Sequence, residues 1–235
     1  MEWEAWFDNK KFTTDWSSPH FSDWARHLAK LRDRDVAVLE IGSWEGRSAI
    51  FFLEFLPRSR VTCIDTFEGG AEHAPLGNDF LASIEGRFDA NLGPYGDRVR
   101  KIKSPSFAAL DRLVQDKASF DLIYIDGSHM RDDVLIDSVL AWRLLAPGGI
   151  CIWDDYTWGV RELPPAERPQ QAIDAFLDLH FHELTILQSD GQMVAEKHPG
   201  VAPKPPSLPT FPRTPANLLR FLTRQPLHSG SRKWI

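Results

Sequence analysis

Between Val36 and Glu196 the chain alternates short β-rich runs with longer segments of helical periodicity, and this alternation narrows the fold more than any other feature. VAVLEI (36–41) is apolar and β-branched and reads as a buried strand. The spacing then predicts a helix from Gly46 to Leu56, ended by Pro57. RVTCID (60–65) is a second strand, and Phe80, Leu81, Ile84 and Phe88 follow at helical spacing. RVRKI (98–102) is a third strand. Ser104 is expected to cap the next helix, with Pro105 at its first position and Phe107, Leu110, Leu113 and Val114 on its apolar face. FDLIYID (120–126) is the fourth strand, followed by a long helix to Leu145 that Pro147-Gly148-Gly149 should stop. GICIWDD (149–155) is the fifth. Ala172 to His180 is helical, and ELTILQ and QMVAEK, separated by Ser189-Asp190-Gly191, read as a terminal β-hairpin.

Strands that alternate with helices imply βαβ units, hence an α/β fold with a mostly parallel sheet covered on both faces. The closing hairpin adds antiparallel strands at one end. In such sheets ligands bind beyond the carboxyl ends of the strands, which places the chemistry in the residues just after each strand.

The flanks differ from this body. Residues 1–35 form an aromatic extension in which Phe21, Trp24, Leu28 and Leu31 sit at helical spacing, as for a helix packed on a core. Residues 36–197 are the domain proper. Residues 198–235 are a proline-rich tail that regular helix or sheet cannot accommodate. The 235 residues suit one such domain. A formal net charge of -6 argues against a nucleic-acid partner, since such domains usually carry a basic surface. No apolar run approaches the ~20 residues of a membrane span, and the start of the chain lacks the pattern of a signal peptide. Cys63 and Cys151 each sit in an apolar run and read as buried thiols, not a disulfide. A cytoplasmic protein is the expectation.

Four strand ends are chemically loaded. After the first comes Glu40-Ile41-Gly42-Ser43-Trp44-Glu45-Gly46, a glycine turn running into a helix start where backbone N–H groups face outward. The spacing is G-x-x-x-G, not the G-x-G-x-x-G of dinucleotide binders. The second strand ends in Asp65, about 20 residues beyond Gly46, where an acid can accept hydrogen bonds from ribose hydroxyls. The fourth and fifth end in Asp126-Gly127-Ser128-His129 and Asp154-Asp155-Tyr156. Three carboxylates on one rim repel one another unless a cation or proton intervenes, and hard oxygen donors suit Mg²⁺. Equally, the acids can be caps of the next helix and turn. His129, beside them, is placed to act as a general base.

Taken in order, VLEIGSWEGRSAIFF, TCIDTFEGG, DLIYIDGSH and LLAPGGICIWDDY resemble a class I S-adenosylmethionine-dependent methyltransferase, and more closely the small bacterial natural-product (macrocin-type) O-methyltransferases. The resemblance runs from about Phe12 to Lys197. It implies a Rossmann-like seven-stranded methyltransferase sandwich. It also implies that Glu40, Gly42, Ser43 and Gly46 hold the methionine end of the cofactor, that Asp65 holds the ribose, and that Ser104, with Ser106, frames the adenine. Metal-dependent relatives bind Mg²⁺ through positions that correspond here to Asp126, Asp154 and Asp155. Some of them carry a further acid two residues beyond Asp126, where this chain has Ser128.

The expected activity is methyl transfer from S-adenosylmethionine to a small-molecule acceptor, at a hydroxyl oxygen. Asp126 and His129 are the catalytic candidates, and Asp126 is also a candidate for cofactor contact. Self-association into a homo-oligomer is left open. Two other readings stand beside this one, a non-catalytic cofactor-binding interaction protein and an NAD-dependent dehydrogenase. The glycine spacing disfavours the dehydrogenase. A further expectation is that residues 1–35 and the loop from Thr66 to Asn78 cover the acceptor pocket, since long loops in compact domains are often lids.

Overall fold

The computed structural model describes residues 3–200, and its centre is a seven-stranded sheet in the order β3-β2-β1-β4-β5-β7-β6. The strands are β1 (Val36–Ile41), β2 (Ser59–Asp65), β3 (Val99–Lys103), β4 (Phe120–Ile125), β5 (Leu145–Trp153), β6 (Leu184–Asp190) and β7 (Gln192–Lys197). The first five pair in parallel, and β7 runs antiparallel to both β5 and β6. Among the described residues the α-helices are α1 (Phe21–Leu28), α2 (Arg47–Phe55), α3 (Asn78–Ala82), α4 (Ile84–Leu92), α5 (Ser106–Gln115), α6 (Arg131–Leu144) and α7 (Gln170–His180).

Strand side chains alternate between two apolar layers, as a period of two requires. Val38, Leu122, Tyr124, Ile150 and Ile152 join the layer built with α1, α2 and α4. Leu39, Ile41, Ile123, Ile125, Cys151 and Trp153 join the layer built with α5, α6 and α7. The aromatic extension belongs to the first layer. The Phe21 ring stacks on Phe51 with centroids 4.4 Å apart, and Trp24 stacks on Phe52 at 5.1 Å. Both are essentially inaccessible to solvent, so the extension completes one face of the sheet.

Three local expectations are corrected. Ser104 does not cap α5: the helix begins at Ser106, Pro105 stands at the N-cap, and the Ser104 hydroxyl donates to the Pro105 carbonyl at 3.1 Å. Pro147-Gly148-Gly149 does not follow the helix as a separate breaker. It lies within β5, where a register shift between Phe120 and Leu122 of β4 absorbs it. Asp126 caps nothing, because α6 starts at Arg131 behind Met130. The proline-rich tail lies, from residue 201 on, outside the described residues. Among the described residues, no helix is long and apolar enough to cross a membrane.

The strand order reverses direction between β1 and β4. That switch point opens a crevice at the carboxyl edge of the sheet, flanked by the turn after β1 and the loop after β4.

Candidate active site

Gly42 and Gly46 both adopt φ of +83°. A Cβ on Gly42 would lie 1.8 Å from the Asp126 carbonyl oxygen, and one on Gly46 would lie 2.2 Å from Leu92 Cδ2. Their first duty is therefore close packing of the turn against β4 and α4, which in turn brings the helix start to the crevice. The turn is knitted by Asp65, whose Oδ2 accepts from the Ser43 and Trp44 amides, each at 2.7 Å. Its Oδ1 accepts from the Phe67 amide at 2.6 Å. A carboxylate with about four lone-pair sites keeps capacity for a ribose hydroxyl after these three bonds. Trp44 is held at φ of +47°, an unusual conformation for a bulky residue.

A depression of about 350 Å³ runs over this turn, bordered by Phe12, Trp16, Gly42, Ser43, Trp44 and Asp126. Ser43, in its wall, and Glu40 behind it are both buried. Glu40 Oε1 accepts from the Ser48 hydroxyl at 2.5 Å. Burial pushes the Glu40 carboxyl up to about 7. Trp16 meets Trp44 at 5.5 Å and His73 at 5.7 Å, so the extension and the loop after β2 come together above the glycine turn. Ser104, by contrast, is tied by its amide to the Asp65 carbonyl at 3.0 Å, at the far side of β2.

At the next strand ends Asp126, His129 and Asp155 each present one donor atom within 4.8 Å of the other two. His129 Nε2 lies 2.8 Å from Asp155 Oδ2, and its ring stacks on Trp158 at 4.3 Å. Asp154 stands outside this trio. Its Oδ2 accepts from the Tyr124 hydroxyl at 2.6 Å and its Oδ1 from Gln192 Nε2 at 2.6 Å. Burial, reinforced by the charges of Asp154 and Asp155, holds the Asp126 carboxyl well above the usual carboxylate range. The two carboxylates crowded at that cost match the oxygen-donor chemistry of a hard divalent cation, so Asp126 and Asp155 fit Mg²⁺, with His129 beside them.

Several contributors escape a reading by motif. Glu45, inside the glycine turn, has its carboxylate taken up by protein partners. It accepts from the Thr13 amide at 2.7 Å and hydroxyl at 2.6 Å and pairs with Arg87, tying the extension to α4. Asp137 is a buried acid of α6, 2% exposed, beneath Gly127, with its carboxyl raised to about 7 by burial. Tyr124 could have been found, since it shares a strand face with Asp126 two residues on. Gln192 could not, because its approach to Asp154 depends on how β7 pairs with β5.

A family profile described as "Methyltransferase domain" matches residues 39–156, half of the chain. A mycinamicin VI 2''-O-methyltransferase of Micromonospora griseorubida is 25% identical over 147 residues, covering 60% of this chain and 31% of that protein. An O-methyltransferase of Aspergillus hancockii is 26% identical over 141 residues, 60% of this chain and 50% of that one. The matched part of the chain thus spans 31% to 50% of the length of these relatives. Among solved structures, the MycE methyltransferase of the mycinamycin biosynthetic pathway, in complex with Mg and SAH, superposes with a TM-score of 0.58 at 20% identity. That match covers 87% of this chain and 55% of the other. An O-methyltransferase from Bacillus cereus, in complex with SAH, gives 0.56 at 23% identity, covering 79% and 84%.

Proposed function

Because this chain belongs to the methyltransferase-domain family, we propose that it transfers the methyl group of S-adenosylmethionine to a hydroxyl oxygen of a small-molecule acceptor. The observation that carries this reading is the juxtaposition, across one crevice, of the Asp65-braced glycine turn and the Asp126–His129–Asp155 trio. The sulfonium supplies an already activated methyl group, so the protein's part is to align acceptor and donor and to remove the acceptor's proton.

In this reading Gly42, Ser43 and Gly46 receive the amino-acid end of the cofactor, Glu40 backs them, Asp65 takes the ribose, and Ser104 and Ser106 lie toward the adenine. Asp155 accepts from His129 Nε2–H, which orients the imidazole beside the rim, where it would serve as the general base for the acceptor's hydroxyl. Asp126 and Asp155 would hold a Mg²⁺ ion, with Asp154 adding its charge from behind. That ion would lower the pKa of an acceptor hydroxyl. Residues 36–197 carry this machinery, and the extension, through Phe12 and Trp16, borders the place where the acceptor enters. The small-molecule acceptor fits a chain of net charge -6 better than a nucleic acid does, and the setting we infer is cytoplasmic.

Incubation with methyl-labelled S-adenosylmethionine and a panel of hydroxylated macrolides, sugars and phenols tests the reading. Label should appear in an acceptor in the presence of Mg²⁺, fall at least about tenfold in EDTA, and return on adding Mg²⁺ to wild type but poorly in Asp126→Ala. Full transfer in EDTA would remove the metal and leave the methyltransferase. Transfer of hydride to NAD without binding of S-adenosylmethionine would replace the whole reading.

A further inference from the structure

A chain of hydrogen bonds, fully buried at its start, leads from the aromatic extension to the acidic rim. The Trp24 indole Nε1–H donates to Gln192 Oε1 at 2.7 Å. Gln192 Nε2 donates to Asp154 Oδ1 at 2.6 Å. Asp154 Oδ2 is held on its other side by the Tyr124 hydroxyl, which also lies 3.0 Å from Asp126 Oδ2. Trp24, Gln192 and Tyr124 are each 0% exposed.

The chemistry of the chain gives it a direction. An indole N–H can only donate, so the amide oxygen of Gln192 must face Trp24 and its –NH₂ must face Asp154. A freely rotating amide could as well turn its oxygen to the carboxylate, where it would repel. The residue after Asp154 is Asp155, whose backbone is left-handed at φ of +56°. Such a conformation persists only where its surroundings hold it. Asp154, pinned by two donors, is the fixed point from which Asp155 turns toward His129.

We propose that Trp24 and Gln192 are positioning residues for the acidic rim. They act through Asp154, so the N-terminal extension sets the geometry of Asp155 and Asp126 without touching any ligand. This inference rests on the functional reading above, in which those two carboxylates hold a divalent cation. A purely structural role would give a different result. Trp24 stacks on Phe52 and meets Tyr124 edge-on at 5.1 Å, so its ring matters for packing whatever its N–H does.

The test uses Mn²⁺ alone as the probe, titrated calorimetrically into the whole chain, with S-adenosylhomocysteine affinity and melting temperature measured alongside. Trp24→Phe keeps the ring packing and removes the N–H, and Gln192→Met keeps volume and removes both links. Each should weaken Mn²⁺ binding about tenfold, the usual cost of losing a group that orients a ligand. S-adenosylhomocysteine affinity should stay within about twofold. The double variant should bind Mn²⁺ no worse than the weaker single one, because both break the same chain. Mn²⁺ affinity equal to wild type in a folded Gln192→Met, whatever its melting temperature, would overturn the proposal. So would losses that multiply in the double variant. Asp155→Ala separates the two levels. If wild type and Asp155→Ala bind Mn²⁺ alike, the metal reading falls and this proposal with it. If Asp155→Ala loses the ion while Trp24→Phe and Gln192→Met keep it, only the positioning role is refuted.

Discussion

Replacing His129 with alanine should lower kcat for the acceptor by about 10² to 10⁴-fold, the range for losing a positioned general base. The affinity for S-adenosylhomocysteine should change little, since the imidazole lies with Asp155 and Trp158 and not at the glycine turn. Asp155 engages Nε2 at 2.8 Å and Trp158 covers one ring face, so the ring is held in one orientation. Asp155→Asn should then fall between wild type and His129→Ala. The amide can still present its oxygen to Nε2–H but no longer stabilises the imidazolium that forms. Steady-state kinetics on the acceptor found in the labelling panel decide the matter. A kcat for His129→Ala within about threefold of wild type would take His129 out of proton transfer.

The second large effect concerns stability. Glu40 and Asp137 are both buried, and both carboxyls are raised to about 7 from ordinary values of 4.5 and 3.8. A carboxyl raised on folding binds more protons in the folded chain than in the unfolded one between those two values. Stability is therefore full at low pH and is lost as pH rises through about 7. The shifts correspond to about 3 kcal/mol for Glu40 and about 4 kcal/mol for Asp137. The ligand-free protein should thus melt at a higher temperature near pH 5 than near pH 8. Glu40→Gln and Asp137→Asn should each flatten that decline, and each should raise the melting temperature at pH 8. Calorimetric melting of wild type and both variants across pH 5 to 8, in EDTA, checks this. A wild-type melting temperature that rises over that window would show that neither acid is penalised by burial.

Much of this molecule was legible before any coordinates. The strands of the body could be read because short, continuous apolar runs rich in Val and Ile suit strands buried on both faces, and the strand ends could be read because an α/β sheet gathers them on one edge. What could not be read depends on pairing across the chain. Gln192 looked like the first residue of a hairpin strand, and nothing local says that it faces Asp154. Glu45 looked like part of a ligand-facing turn, and only the fold of the extension gives it Thr13 and Arg87 as partners. Ser104 failed as a cap because the residue after it, not Ser104 itself, takes the N-cap position. Local cap signals place a helix start only to within a residue or two. The glycines show a subtler gap. Their spacing pointed to a ligand, whereas the nearest obstacles to a Cβ are the Asp126 carbonyl and the Leu92 side chain.

Cofactor binding can be measured without knowing the acceptor. Titration of S-adenosylhomocysteine into the protein, followed by calorimetry, should give saturable one-to-one binding. Asp65→Ala should weaken it by about 1.5–3 kcal/mol, the cost of losing a charge-assisted hydrogen bond. No heat of binding to the wild type at millimolar ligand, or an affinity unchanged in a folded Asp65→Ala, would contradict this expectation: the first removes the cofactor, the second removes Asp65 from its site.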